Sequence, residues 1–138
     1  MSKDLKKFRE RIQKTNYHLI FCYPKKNCLC SNTKKIKASL SELKIQLKHL
    51  KKLGIYCSLT TSSCLKICKS GPVLVVHPEG VWYHSCSPKV IQRIVDLHLT
   101  KNKIVKENLI GIMNIPKEDH EEYASPYSRF DNHLFITN

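Results

Sequence analysis

The fold of this chain is decided by residues 73–85, whose sequence is VLVVHPEGVWYHS. Residues 73–76 and 81–85 are rich in aliphatic and aromatic residues, and the Pro-Glu-Gly between them is typical of a tight turn. The first run is apolar throughout, which indicates a strand that is buried on both faces. The sequence therefore predicts a β-hairpin whose first strand lies inside the protein.

The residues before the hairpin predict a strand–helix–strand unit. Residues 17–22 and 55–61 are compact runs of strand-forming residues. Between them, residues 33–53 form the clearest predicted helix, which Gly54 ends at its C′ position. One face of this helix carries an apolar stripe, made of Ile36, Leu40, Leu43, Leu47 and Leu50. Since such crossovers are right-handed and usually join parallel neighbours, the two strands are expected to be parallel.

A second helix is predicted after the hairpin. Ser87 and Pro88 are typical of the N-cap and of the first helical position, and apolar residues recur to about Leu99. The element order is then β-α-β, β-hairpin, helix. This order predicts an α/β fold with a small mixed sheet and helices packed on it, in the thioredoxin-like arrangement.

The chain has 138 residues, which is room for one domain and a tail. We expect the domain to span residues 16–100. Residues 1–15 are expected to be a basic, solvated lead-in, in which Phe8 and Ile12 form at most one amphipathic turn. Residues 101–138 are expected to be an extension that is first docked as an extended segment and then weakly ordered.

The chain is strongly basic, with a net charge of +13 from 24 Lys and Arg against 11 Asp and Glu. Such a charge favours an acidic partner, whether a protein, a nucleic acid or a lipid head group. No stretch has the ~18 apolar residues of a membrane span. The charged N-terminal stretch, which includes Asp4 and Glu10, is unlike a signal or transit peptide. We therefore expect a cytoplasmic protein without a membrane span.

Seven cysteines are many for a cytoplasmic chain, where thiols stay reduced and metal binding is more common than disulfides. Cys22, Cys28 and Cys30 lie at or after the end of the first predicted strand. Cys64 and Cys68 follow the second. Since the carboxyl ends of neighbouring parallel strands meet at one edge of a sheet, thiolates from both loops are expected to converge there.

Four converging thiolates suit either a [2Fe–2S] cluster or Zn²⁺. The cysteine spacing differs from that of plant-type ferredoxins and from that of zinc ribbons, so it does not separate the two metals. A thioredoxin Cys-x-x-Cys is absent, which counts against a dithiol oxidoreductase.

Three stretches resemble the thioredoxin-like [2Fe–2S] ferredoxins, also called Shethna-type. They are YHLIFC at residues 17–22, CLKICKSGPVLVVHPEGVWY at residues 64–83 and DLHL at residues 96–99. The second stretch is the most specific of the three. The loop from Cys22 to Cys30 is most similar to the cyanobacterial branch. The family's fold is shared with a peripheral subunit of respiratory NADH dehydrogenase.

This resemblance implies a non-enzymatic protein that transfers single electrons through one [2Fe–2S] cluster. The positive charge of the chain, rather than the resemblance, favours an acidic redox partner. Carried over by position, three ligands fall on Cys22, Cys64 and Cys68. The remaining ligand is assigned to Cys30, because in the family a cysteine precedes a small residue near the first helix, as Cys30 precedes Ser31. Cys28 is the alternative to Cys30. Because relatives pair as dimers, the resemblance also allows a homodimer.

The chain departs from the family in two respects. The loop between its first cysteines is shorter than in many relatives, and its charge is positive where many ferredoxins are acidic. The lysines that flank the two cysteine loops are Lys25, Lys26, Lys34, Lys35, Lys66 and Lys69. Around a cluster they would steer an acidic partner and stabilise the reduced, more negative state.

The other cysteines, histidines and aromatic residues are expected to be structural. Cys57 and Cys86 are expected to be core or surface thiols. The residues expected to pack or to support the strands are His77, His84, His98, Trp82 and Tyr83. The fold resemblance further suggests a cis peptide bond between Gly71 and Pro72.

The main alternative is a zinc-stabilised basic module that contacts nucleic acid or an acidic protein. The positive charge supports it, but arginines are few and no recognition motif is present, so nucleic acid is not the expected partner. A thiol reductase on the same fold is the third hypothesis, and it needs a low-pKa cysteine with a resolving partner.

Overall fold

The structure is a computed structural model that describes residues 1–23, 33–63 and 71–125. Its helices are α1 (Lys3–Lys14), α2 (Thr33–Lys52) and α3 (Pro88–Arg93), the last continued by π-helical turns over Ile94–Leu99. Its strands are β1 (Tyr17–Cys22), β2 (Cys57–Ser62), β3 (Leu74–His77), β4 (Val81–Tyr83) and β5 (Leu109–Ile112). Short 3-10 turns lie at Lys106–Asn108 and Lys117–Asp119.

The strands form one mixed sheet in the order β2-β1-β3-β4-β5. β1 is parallel to β2, and every other pairing is antiparallel. The sheet thus contains the predicted parallel pair and the predicted hairpin. Its mixed α/β architecture confirms the fold class expected from the element order.

The hydrophobic core lies between this sheet and the helices α2 and α3, which contact each other. The α2 stripe behaves as predicted, with Ile36, Leu43 and Leu50 buried and the two leucines between them packed against the core. Three successive residues of β3 are buried, as expected for a strand covered on both faces. Ser87 caps α3, accepting a hydrogen bond from the Val90 N–H at 3.3 Å.

The N-terminal segment differs from the expectation of a single turn, because α1 is a helix of 12 residues. Ser2 caps it by accepting a hydrogen bond from the Leu5 N–H at 3.2 Å. Its sequence consists mainly of Lys, Arg, Glu, Leu and Gln, which are strong helix formers, and it contains no Gly or Pro. Local propensity and a good cap therefore extend the helix although no residue of it is buried.

The segment after α3 also differs from the expectation, because part of it is a strand rather than a merely docked extended chain. β5 pairs with β4 and adds a fifth strand to the sheet. The pairing is supported at its ends by hydrogen bonds from the His84 N–H to the Asn108 carbonyl and from the Met113 N–H to the Gly80 carbonyl. The outer edge of β4 is therefore covered, which removes an exposed strand edge.

Among the described residues, two peptide bonds before proline are cis. The bond between Gly71 and Pro72 confirms the expectation drawn from the family resemblance. The second, between His77 and Pro78, lies in the turn of the β3–β4 hairpin and was not foreseen. Both prolines lie at an end of β3.

Gly80 in the hairpin turn has no room for a side chain. Its φ is +75°, and a Cβ there would lie 2.7 Å from the Met113 sulfur and 2.8 Å from its Cβ. Gly80→Ala is therefore expected to lower the free energy of unfolding by about 3 kcal/mol, combining backbone strain with overpacking. Urea unfolding followed by far-UV circular dichroism measures this change.

Gly54→Ala is the matched control for that prediction. Gly54 has a similar φ of +83°, but a Cβ at this position would have nothing within 4 Å of it. Only the backbone strain applies there, so the expected loss is about 1 kcal/mol. Equal losses for the two variants would contradict the steric role of Met113.

Candidate metal centre

Cys22 occupies the place where a ligand was predicted, at the carboxyl end of β1. It is the last residue of the strand and is 3% exposed. Its backbone N–H donates a hydrogen bond to the Val73 carbonyl at 3.0 Å. This bond fixes the backbone at Cys22 against the residue that precedes β3.

The carboxyl ends of β1 and β2 lie side by side, as the parallel arrangement predicted. Cys22 is in register with Ser62, the last residue of β2. The Tyr23 N–H then donates to the Ser62 carbonyl at 2.7 Å. The two strands therefore end at the same level of the sheet.

At this edge the described residues end shortly after each of the two strands, at Tyr23 after β1 and at Ser63 after β2. Segment 24–32 follows Tyr23, and segment 64–70 runs from Ser63 to Gly71. The Pro72 carbonyl accepts a hydrogen bond from the Cys86 N–H at 2.9 Å, which joins Pro72 to the chain between β4 and α3. The other predicted ligands, Cys28, Cys30, Cys64 and Cys68, lie in these two segments, outside the described residues.

The Ser62 hydroxyl is a second polar group at this edge. Its oxygen is buried and has no hydrogen-bond partner among the described residues. Because paired residues of parallel strands project to the same face, it shares a face of the sheet with the Cys22 thiol. A hydroxyl in this place is suited to donate a hydrogen bond to sulfur, one of the contacts that tune iron–sulfur sites.

Within residues 1–23, 33–63 and 71–125, no group of three or more His, Cys, Asp or Glu residues is arranged to hold a metal ion. Cys22 is the predicted ligand that these ranges include. Of the lysines that flank the two cysteine loops, they include Lys34 and Lys35, in the first turn of α2. Nor do the described helices include one long and apolar enough to cross a bilayer.

Cys57 and Cys86 lie where structural thiols were expected. Cys57 begins β2, at the opposite end of the strand from Ser62, and packs against the core. Cys86 is completely buried, and its thiol donates to the His84 carbonyl at 3.7 Å. Burial raises the pKa of the Cys86 thiol to about 12, so this residue is held as a neutral thiol.

Cys86 is expected to resist alkylation in the native protein, because the thiolate is the reactive form and burial disfavours it. Iodoacetamide labelling followed by mass spectrometry should modify Cys86 more than about tenfold more slowly in the native than in the urea-unfolded chain. The raised pKa also predicts that stability falls as the pH rises above about 9, where the unfolded thiol ionises and the folded one does not. Equal labelling rates in the two states would contradict the burial of this thiol.

A buried hydrogen-bond network that sequence reasoning missed lies among Glu79, His98 and Tyr83. The His98 Nε2–H donates to both carboxylate oxygens of Glu79 at 3.0 Å, and the Tyr83 hydroxyl donates to His98 Nδ1 at 2.8 Å. The Val105 N–H donates in turn to the Tyr83 oxygen at 3.2 Å. The side chains of His98 and Glu79 are 0% and 1% exposed.

This network explains the role of His98. Both of its ring nitrogens are used in contacts with protein, and its ring also packs edge-on against Tyr17. Burial, with a contribution from the Glu79 carboxylate, raises the pKa of Tyr83 and keeps its hydroxyl protonated. His98 and Tyr83 are therefore structural, as expected. Glu79, which was assigned only to the turn, is their partner.

No protein-family model matches the chain. Among curated proteins, a 2Fe-2S ferredoxin of Clostridium pasteurianum is 38% identical over 48 residues, which are 35% of this chain and 47% of that protein. A 2Fe-2S ferredoxin of Aquifex aeolicus (strain VF5) is 38% identical over 53 residues, or 38% of this chain and 48% of that protein. The chain thus matches about half the length of these relatives.

Among solved structures, a thioredoxin-like [2Fe-2S] ferredoxin from Aquifex aeolicus superimposes with a TM-score of 0.62 at 23% identity, covering 73% of this chain and 96% of that one. A 1.5 Å crystal structure of the wild-type Aquifex protein gives 0.61 at 24% identity, with coverages of 69% and 96%. The thioredoxin-like fold is therefore confirmed, and so is the resemblance to thioredoxin-like [2Fe–2S] ferredoxins.

Proposed function

We propose that this chain is a cytoplasmic carrier of single electrons that holds one [2Fe–2S] cluster through Cys22, Cys30, Cys64 and Cys68. The similarity to 2Fe-2S ferredoxins supports the choice of cofactor. Such a cluster supplies one-electron redox chemistry, and the protein supplies thiolates, burial and hydrogen bonds to sulfur. No bond-making step on a substrate is part of this function, so the protein is not an enzyme.

The observation that carries the proposal is the register of Cys22 with Ser62. Hydrogen-bonded strands lie about 4.8 Å apart, and each residue advances the chain by at most about 3.5 Å. Cys64 comes only two residues after Ser62, so the covalent chain is short enough to allow its thiolate to reach the end of β1, which supports its proposed role as a ligand. Soft thiolates at this edge, beside a Ser62 hydroxyl that has no hydrogen-bond partner among the described residues, fit a [2Fe–2S] cluster.

Two features of this chain suit electron transfer. The near-complete burial of Cys22 restricts water at one side of the proposed site and thereby limits hydrolytic loss of iron. The lysines at the start of α2, with the other lysines that flank the two cysteine loops in the sequence, favour an acidic redox partner. In a homodimer, which the resemblance allows, each of the two chains would carry one such cluster site.

The proposal is tested on the full chain purified without oxygen. Metal and sulfide analysis should give two irons and two acid-labile sulfides per chain, with visible absorption that bleaches on reduction by dithionite. The reduced protein should give a rhombic EPR signal of an S = 1/2 centre. A colourless protein with one zinc per chain would overturn the proposal in favour of the zinc-stabilised module.

The choice between Cys30 and Cys28 is tested by replacing each with alanine. Loss of a thiolate ligand removes a metal–sulfur bond, so Cys30→Ala is expected to retain less than about a tenth of the iron of the unsubstituted protein. Cys28→Ala is expected to keep its iron and its EPR signal. The reverse pattern would move the second ligand to Cys28, and equal retention in both variants would contradict a ligand from this loop.

A further inference from the structure

The helix α1 carries an exposed apolar stripe that the fold does not use. Leu5, Phe8 and Ile12 follow one another at helical spacing, with Met1 one turn before them. These four side chains are between 54% and 72% exposed, and no residue of α1 is buried. Side chains of this kind are normally withdrawn from water, so the stripe is a candidate contact surface.

The remainder of the α1 surface is basic. The helix has six basic residues against two acidic ones, namely Lys3, Lys6, Lys7, Arg9, Arg11 and Lys14 against Asp4 and Glu10. At 3.6 residues per turn, Arg9 borders the stripe on one side and Arg11 on the other, where Asp4 of the first turn also lies. The Arg11 guanidinium also lies 5.9 Å from the centre of the Phe8 ring. An apolar stripe bordered by arginines and backed by lysines characterises helices that lie in the interface of an anionic membrane.

We propose that α1 binds flat on the surface of a bilayer that contains anionic lipids. In this position Leu5, Phe8 and Ile12 enter the boundary between head groups and acyl chains. Arg9 and Arg11 extend their charged ends to the lipid phosphates from either side. A helix of 12 residues is about 18 Å long, which is too short to span the hydrocarbon core.

The small size of the apolar stripe and the positive charge of the residues around it favour a lipid surface over a protein partner. A stable protein interface buries about 800 Å² on each partner, which three side chains on one helix do not provide. A second copy of α1 would bring two strongly basic helices together, and their like charges would repel. A lipid surface requires only shallow insertion, and its negative charge complements the basic residues along the whole helix.

Sedimentation of the full purified chain with vesicles tests the proposal. Phosphatidylcholine vesicles with about a third phosphatidylglycerol are expected to bind it at least about tenfold more tightly than pure phosphatidylcholine. Raising the salt concentration should weaken binding, because the charge attraction is screened. The triple variant Leu5→Gln, Phe8→Gln, Ile12→Gln keeps good helix formers and every charge, and it is expected to bind at least about tenfold more weakly.

The matched control replaces apolar residues of similar exposure elsewhere. Ile45 in α2 and Leu53 just after it are 50% and 67% exposed. The double variant Ile45→Gln, Leu53→Gln is expected to bind anionic vesicles like the unsubstituted chain. Undiminished binding by the triple variant would overturn the proposal, because the other basic surfaces would then suffice. So would a failure to bind anionic vesicles, or a concentration-dependent dimer that only the triple variant loses.

Discussion

Replacement of Cys22 with alanine is expected to abolish cluster binding while leaving the fold in place. The variant loses one of four proposed thiolates at the edge where β1 and β2 end side by side. Alanine offers no ligand atom, whereas serine would offer an oxygen. Purified Cys22→Ala should therefore contain less than about a tenth of the iron and sulfide of the unsubstituted chain, with no visible absorption.

Two other cysteines provide matched controls for this prediction. Cys57 lies in the adjacent parallel strand, at the end opposite to the proposed site. Cys86 is a fully buried thiol near the same edge of the sheet as the carboxyl end of β1. Cys57→Ala and Cys86→Ala are both expected to retain the full iron content. Iron loss in all three variants would indicate a general effect of truncating thiols, and full retention by Cys22→Ala would remove Cys22 from the ligand set.

A measurement of folding has to accompany the iron analysis. Cys22 is almost completely buried, so truncating its side chain costs about 1 kcal/mol through lost packing alone. Far-UV circular dichroism of the Cys22→Ala apoprotein should match that of the unsubstituted apoprotein. An unfolded variant would transfer the test to Cys64→Ala and Cys68→Ala.

The elements that the sequence predicted well are those with a strong internal pattern. The stripe of α2 repeats over successive helical turns, and the uninterrupted apolar run of β3 has few alternatives to a buried strand. The placement of Cys22 followed from topology, because a strand–helix–strand crossover usually joins parallel neighbouring strands, as it does for β1 and β2. A short sequence pattern thus located the edge where the site is proposed.

The missed elements depend on other kinds of information. α1 is exposed on all sides, so packing against the core does not identify it as a helix. Only its N-terminal cap and the helix propensity of its residues extend it beyond one turn. β5 contains Gly111 and has just four residues, and its pairing follows from the free edge of β4. The contact between Glu79 and His98 joins residues 19 apart across a hairpin and a helix. No local pattern in the sequence marks such a pair.

Removal of the His98 side chain is expected to destabilise the protein strongly. His98→Leu keeps an apolar side chain of similar size, but it leaves the Glu79 carboxylate buried without its donor and the Tyr83 hydroxyl without its acceptor. Leaving a buried group without its hydrogen-bond partner costs about 1–3 kcal/mol, and more when the group is charged, so the loss of the Glu79 donor and the Tyr83 acceptor together is expected to cost about 3 kcal/mol or more. Urea unfolding at neutral pH, with the metal content of both proteins matched, measures the loss.

A control variant and a companion variant show whether the stability lost in His98→Leu comes from the buried network or from the removal of a histidine as such. His18→Leu changes an exposed histidine whose ring contacts the Thr60 hydroxyl on the surface, so it is expected to cost less than about 1 kcal/mol. Tyr83→Phe leaves the Val105 N–H and His98 Nδ1 unpaired and should cost about 1–3 kcal/mol. Equal stabilities of His98→Leu and His18→Leu would contradict a structural role for the network.

The double variant Glu79→Gln, His98→Leu then distinguishes a buried charge from lost packing. If the penalty of His98→Leu comes mainly from the unpaired carboxylate, neutralising Glu79 should restore about half of the lost stability. If it comes from the shape of the leucine side chain, the double variant should be no more stable than His98→Leu. Because the β3–β4 turn, β4 and the π-helical turns all contribute to this network, the coupling measures how tightly the hairpin is held to the helix that follows it.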